Sequence, residues 1–253
     1  MSSAILLFHQ GFTDFLNCLA LIPYYASKYD TLQVLVKQDA YEFVDYFCNS
    51  LTNVDLIFLP QTFLDRTLIQ KNTLLFSALG LDCSNSDILI HGYGDIHRKD
   101  KYVGVYENIL TNTFFVDAFY LAYDINPKLR IDGFTFTRNM ELENTVYANF
   151  IEIHGREYHL HHSVKPTAEM SIELAKCSDI FFDYIKVLEH AKSLTLLDSV
   201  WATLVYLLQA KYGLFSNIPI TIVSRNLGYE KMFKSPARFS NWKFIGTSID
   251  EHS

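Results

Sequence analysis

The chain has 253 residues, 49% hydrophobic and 15% aromatic, with a formal net charge of −7. That length allows one large domain or two small ones, each able to bury a core. The acidic balance and the lack of a basic stripe exclude nucleic acid as the expected partner, and no stretch approaches the roughly 18 apolar residues of a membrane helix.

In chain order, Ser3–His9 (SAILLFH) is a short apolar run and predicts a buried strand. Its apolar part, AILLF, lacks the basic flank and the length of a signal peptide. Thr13–Tyr29 carries apolar residues at helical spacing, with Pro23 expected to kink it. Leu32–Lys37 predicts a second strand, Tyr41–Cys48 a short helix and Val54–Leu59 a third strand. Phe63–Leu79 reads as a helix stopped by Gly80, and Asp87–His91 as a fourth strand opening into a Gly-containing loop. Tyr102–Tyr123 is a long aromatic helix. This alternation predicts a parallel sheet with helices on both faces, which binds ligands beyond the carboxyl ends of its strands.

Asn126-Pro127 marks a boundary, predicting units of 1–125 and 126–253 with a cleft between them. In the second half, Glu141–Glu152, Phe182–Ala191 and Ser199–Tyr212 predict helices, the last closed by Gly213. Tyr158–His162, Ser171–Leu174, Ser193–Leu197 and Pro219–Ser224 predict strands, and Asn226–Trp242 reads as an aromatic, basic tail. Cys18, Cys48, Cys83 and Cys177 form no CxxC pair, which points to reduced thiols in a cytoplasmic protein.

Four places could carry chemistry. Gly11-Phe-Thr13-Asp14 follows the first strand: the glycine allows a close backbone approach, and the carboxylate could take a proton from a hydroxyl. Thr13 or Asp14 could equally serve only as a helix cap. Asp198-Ser199 lies between a strand and a long helix, where a hydroxyl, free amides and a helix dipole could seat a phosphate; capping is again the plain alternative. In His159-Leu-His161-His162-Ser163, alternation puts His159 and His161 on one face and His162 on the other. No carboxylate or cysteine completes a zinc set there, so no metal is expected; His161, His162 and Ser163 could end the strand at the cleft and bond a nucleotide or phosphate, or the histidines could be surface or core residues. The loop after His91 holds Asp95, His97 and Arg98, candidates for binding an acceptor or phosphate, or a solvated turn. GxGxxG, Walker A, GxSxG and HExxH patterns are all missing.

The segments HQGFTDFLNCLALIPYYASKYDTLQVLV and HAKSLTLLDSVWATLVYLL resemble the opening and the late donor segment of GT-B glycosyltransferases of the heptosyltransferase type. FFDYIKVLEHAKSLTLLDS and SPARFSNWKFI are similar to segments of small glycosyltransferase-like proteins of viral and bacterial glycan clusters. The resemblance implies an α/β, GT-B-like fold of two Rossmann-like halves: an acceptor half and a nucleotide-sugar half. It implies Asp14 as catalytic base, and donor phosphates at Asp198 and Ser199, with Gly11 and Thr13 beside the donor. The partners implied are a nucleotide sugar and a glycan acceptor, with no further cofactor. The family carries Asp-Thr-Gly and a following His where this chain has Asp198-Ser199-Val200 and no His. A non-catalytic glycan- or nucleotide-binding module of the same fold is the alternative from another class; an epimerase is disfavoured by the missing GxGxxG.

Overall fold

The computed structural model describes residues 2–8, 12–59, 76, 79–81, 84–91, 115–164, 171–174, 181–224 and 239–246. It divides into two compact units, Met1–Thr135 and Phe136–Ser253.

The first unit is built on four parallel strands in the order β3-β2-β1-β4. These are β1 (Ser3–Phe8), β2 (Thr31–Lys37), β3 (Val54–Leu59) and β4 (Ser86–His91). The apolar runs explain the order. Ala4 to Leu7 and Val34 to Val36 are fully buried, as central strands covered on both faces must be. Ile5, Leu7, Leu35, Leu59, Phe76 and Ile90 form one cluster on the sheet.

After β1 the predicted single helix is two: α1 (Phe12–Cys18) and α2 (Leu21–Ala26). Pro23 explains the break, because it has no N–H to give to a carbonyl one turn back. The chain resolves this with three-residue bonds, Leu19 N to Leu16 O and Ile22 N to Leu19 O. Pro23 then falls in the first turn of α2, where a missing N–H costs nothing. α3 (Tyr41–Cys48) matches its prediction. Of the predicted helix 102–123, the described part is α4 (Phe115–Leu121), and most of the predicted helix 63–79 lies outside the described residues.

Residues 126–135, expected in the second half, pack with the first. Arg130 of α5 (Leu129–Asp132) is 1% exposed and lies 4.0 Å from Asp117. Phe134 packs on Phe47 with ring centroids 5.8 Å apart. A buried guanidinium needs its carboxylate, so Asn126-Pro127 is a turn inside the unit and not its end.

The second unit is a five-stranded parallel sheet, β6-β5-β7-β8-β9. The strands are β5 (His159–His162), β6 (Ser171–Glu173), β7 (Leu194–Leu197), β8 (Ile220–Ser224) and β9 (Trp242–Gly246). The strand β9 was not foreseen; it begins on the last residue of the supposed tail. Its Trp242 is fixed from outside the strand: the indole N–H donates to Gln209 Oε1 at 2.7 Å, and the ring packs on Tyr206 and Phe239.

α6 (Met140–His154) starts with Asn139 Oδ1 accepting from Leu142 N, a side-chain cap. The helix expected at 182–191 is a 3-10 turn, Phe181–Tyr184, leading into α7 (Ile185–Glu189). Adjacent rings account for the tighter winding: Phe181 packs on Trp201 and Phe182 stacks on Phe136, so consecutive side chains serve two different neighbours. α8 (Val200–Tyr212) is buried from Val200 through Gln209, as a helix apolar on all sides must be. Gly213 ends it at φ 71°, a left-handed cap that favours glycine.

Candidate functional site

In the first sheet the strand order reverses between β1 and β4, and that switch point is where such sheets bind ligands. Asp14 sits there, the third residue of α1, half-buried. Since α1 begins at Phe12, Thr13 and Asp14 lie inside the first turn and neither is the cap residue. A carboxylate at this position still gains from the helix dipole.

The far end of α1 is tied down. Asn17 Nδ2 donates to Thr13 O at 2.8 Å, Tyr120 Oη donates to Asn17 O at 2.5 Å, and Arg130 Nη1 donates to Asn17 Oδ1 at 3.4 Å. Cys18 beside it is buried, which pushes its thiol well up; the Asp14 charge adds to the rise and Arg130 opposes it. Gly11, Asp95, His97 and Arg98 lie outside the described residues.

His91, at the end of β4, is a core residue. A carbonyl can only accept, so Nδ1–H donates to Phe119 O at 2.6 Å and Nε2 accepts from Tyr25 Oη at 3.0 Å. The ring also stacks on Tyr123 at 4.1 Å.

In the second sheet the order reverses between β5 and β7, with His162 and Leu197 at their carboxyl ends. Ser199 occupies the cap position of α8 in extended backbone, φ −142° and ψ −162°, yet its hydroxyl makes no cap bond. That hydroxyl is 3.3 Å from His162 Nδ1. On the other side of the ring, His162 Nε2 is 3.3 Å from Ser163 Oγ. Ser163 is held at φ 53°, a left-handed conformation unusual for a side chain of this kind. Asp198, 1% exposed, accepts at Oδ2 from Ser224 Oγ at 3.1 Å and donates its N–H to Val223 O at 3.1 Å, pinning the loop to the end of β8.

The structure therefore brings His162 and Ser163, at the end of β5, together with Asp198 and Ser199, at the end of the neighbouring β7. His161 is directed elsewhere: its Nδ1 is 2.9 Å from Ser171 Oγ on the edge strand β6. His159 likewise pairs with Ser193 Oγ at 2.7 Å. Among the described residues no group of three or more His, Cys, Asp or Glu side chains is placed to hold a metal ion. Sequence reasoning missed Ser224 and Trp201. Ser224 could have been found as the last residue of a predicted strand, where polar side chains collect in parallel sheets.

No known family's sequence pattern matches the chain, and no curated protein does. Among solved structures, the chain is similar to a glycosyl transferase family 9 protein from Veillonella parvula. The TM-score is 0.52 at 7% identity, over 100% of this chain and 88% of that one. The fold is of the GT-B type, two parallel α/β units in one chain. Among the described residues no helix is long and apolar enough to cross a membrane.

Proposed function

We propose that this protein is a glycosyltransferase, distantly heptosyltransferase-like, that moves a sugar from a nucleoside-diphosphate donor to a glycan hydroxyl. The second unit takes the donor. Its diphosphate lies at the start of α8, against the Ser199 hydroxyl, with His162 and Ser163 beside it and Asp198 holding the loop. In the first unit Asp14 takes the proton from the acceptor hydroxyl as that oxygen attacks the anomeric carbon. The bond from that carbon to the diphosphate oxygen breaks, and the leaving group carries away the charge. Metal-independent stabilisation of that charge fits a helix N-terminus, whose first N–H groups have no partners within the helix.

The observation that carries this proposal is Ser199. It stands at the cap of a 13-residue helix, at the switch point of the sheet, and does not cap the helix. A serine used only for structure would accept a bond from the first turn; this one is turned to His162, so its side chain takes none of the first N–H groups that an anion could use.

Titration with UDP, GDP and TDP, followed by melting temperature and calorimetry, tests it. At least one should bind, Ser199→Ala should weaken binding about tenfold, and turnover with the matching donor should survive EDTA. Binding of glycans with indifference to all three nucleotides would reject it in favour of a non-catalytic binding module.

A further inference from the structure

His162 sits between two serine hydroxyls, with Nδ1 3.3 Å from Ser199 Oγ and Nε2 3.3 Å from Ser163 Oγ. A neutral imidazole has one N–H and one lone pair. One serine must then accept from the ring while the other spends its own hydrogen on it. An imidazolium has two N–H groups and no acceptor. Both serine oxygens then accept from the ring, and both hydroxyl hydrogens are released to point elsewhere.

We propose that His162 is a proton-coupled positioning residue for an anionic ligand: a diphosphate arriving at the start of α8 is bound together with one proton from solvent, taken up by the imidazole, which turns both serine hydroxyls toward the phosphate oxygens. The proposal rests on the diphosphate reading above and adds to it the protonation change that accompanies binding. The one bond made is the N–H of that proton on the imidazole; it breaks again as the proton returns to solvent when the ligand leaves.

A second feature points to a missing acceptor at the same place. Trp201, in the first turn of α8, is 1% exposed and packs edge-on against the His162 ring, with centroids 6.4 Å apart. Among the described residues its indole N–H has no hydrogen-bond partner. A buried donor left unmade costs about 1–3 kcal/mol, and among the described residues no oxygen meets this one at the start of the helix. The left-handed turn at Ser163 returns the Ser163 hydroxyl to the His162 ring.

Other titratable groups lie on the elements packed around His162. Asp198, at the end of β7, is held by Ser224. His161, the preceding residue of β5, is held by Ser171 on the neighbouring strand. Asp183 belongs to the 3-10 turn whose Phe181 and Tyr184 pack on Trp201, and burial raises its carboxyl to about 6. Both His161 and Asp183 must therefore be separated from His162 by experiment.

The test is calorimetry of UDP and of inorganic pyrophosphate binding between pH 7 and 8.5, in phosphate-free buffers of differing ionisation enthalpy. The wild-type protein should take up close to one proton per ligand bound, and affinity should fall by up to about tenfold per pH unit as the pH rises. His162→Gln should remove the uptake and flatten the pH dependence. His161→Gln and Asp183→Asn should keep both. Binding by the wild type with no proton uptake overturns the proposal without any variant, as does uptake that persists in H162Q; the donor site would survive either result. If H162Q fails to fold, the other two variants decide: uptake surviving both supports His162, and uptake lost in either overturns it. Absence of binding by both probes rejects the diphosphate reading itself, and this proposal with it.

Discussion

Asp14→Asn separates chemistry from structure at the first switch point. Asn keeps the size of the side chain and most of its hydrogen bonding but cannot hold a proton taken from a hydroxyl. Loss of a general base typically costs about 10²–10⁴-fold in rate, which is about 3–5 kcal/mol of barrier. The structural cost follows from where the residue sits. As the third residue of α1, Asp14 is not the cap, so the roughly 0.5–2 kcal/mol of a lost cap does not apply. What is lost is a charge at the positive end of a helix dipole, about 0.3–1 kcal/mol. At about 2–4 °C per kcal/mol for a chain of this size, the melting temperature should fall by no more than about 4 °C. Turnover should be measured with saturating donor and acceptor, alongside the melting curve. Near-normal turnover in D14N would refute the assignment of Asp14 as base. A large loss of stability would refute the placement of Asp14 inside the first turn.

Cys18 and Cys48 are buried, and burial raises both thiols, Cys48 to about 12. Both should resist a thiol reagent at pH 8 in the folded protein and react at once in denaturant; fast labelling of either in the native state would contradict their placement. Asp183 is raised to about 6, first by burial and then by the charge of Glu143. A raised carboxyl binds its proton more tightly folded than unfolded, so its contribution to stability falls as pH rises from about 4 to about 6. Asp183→Asn should therefore gain stability over wild type at pH 7 and little at pH 4, measured by urea unfolding; an equal change at both values would reject the shift. At Gly133 an added Cβ would lie 3.0 Å from Leu129 O and 3.1 Å from Ala20 Cβ. Gly133→Ala should cost about 1–3 kcal/mol through overpacking, and an unchanged melting temperature would show that α5 does not pack so closely on this segment.

Hydrophobic periodicity and turn residues by themselves determined most of the elements. Short, mostly apolar runs marked β1 to β4, β7 and β8, the brief segments 158–162 and 171–174 marked β5 and β6, and Gly213 marked the end of α8. These signals are local: a strand buried on both faces must be apolar throughout, and a left-handed cap favours glycine. The candidates Asp14, Asp198 and Ser199 stood out in the sequence as polar groups just past an apolar run, and His162 and Ser163 as the end of a His-rich strand.

Tertiary structure decided the rest. Whether His161 or His162 meets Ser199 depends on which strand lies beside β5, and strand order is not written in any one segment. Whether Ser199 caps its helix depends on the ring that reaches it from 37 residues away. The boundary after Thr135, set against the visible Asn126-Pro127, is drawn by the buried pair of Arg130 and Asp117. The strand β9 exists because β8 presents an edge and Gln209 an acceptor for Trp242. In each case the deciding partner is distant in sequence, and only packing brings it within the few ångströms over which a hydrogen bond or an ion pair acts.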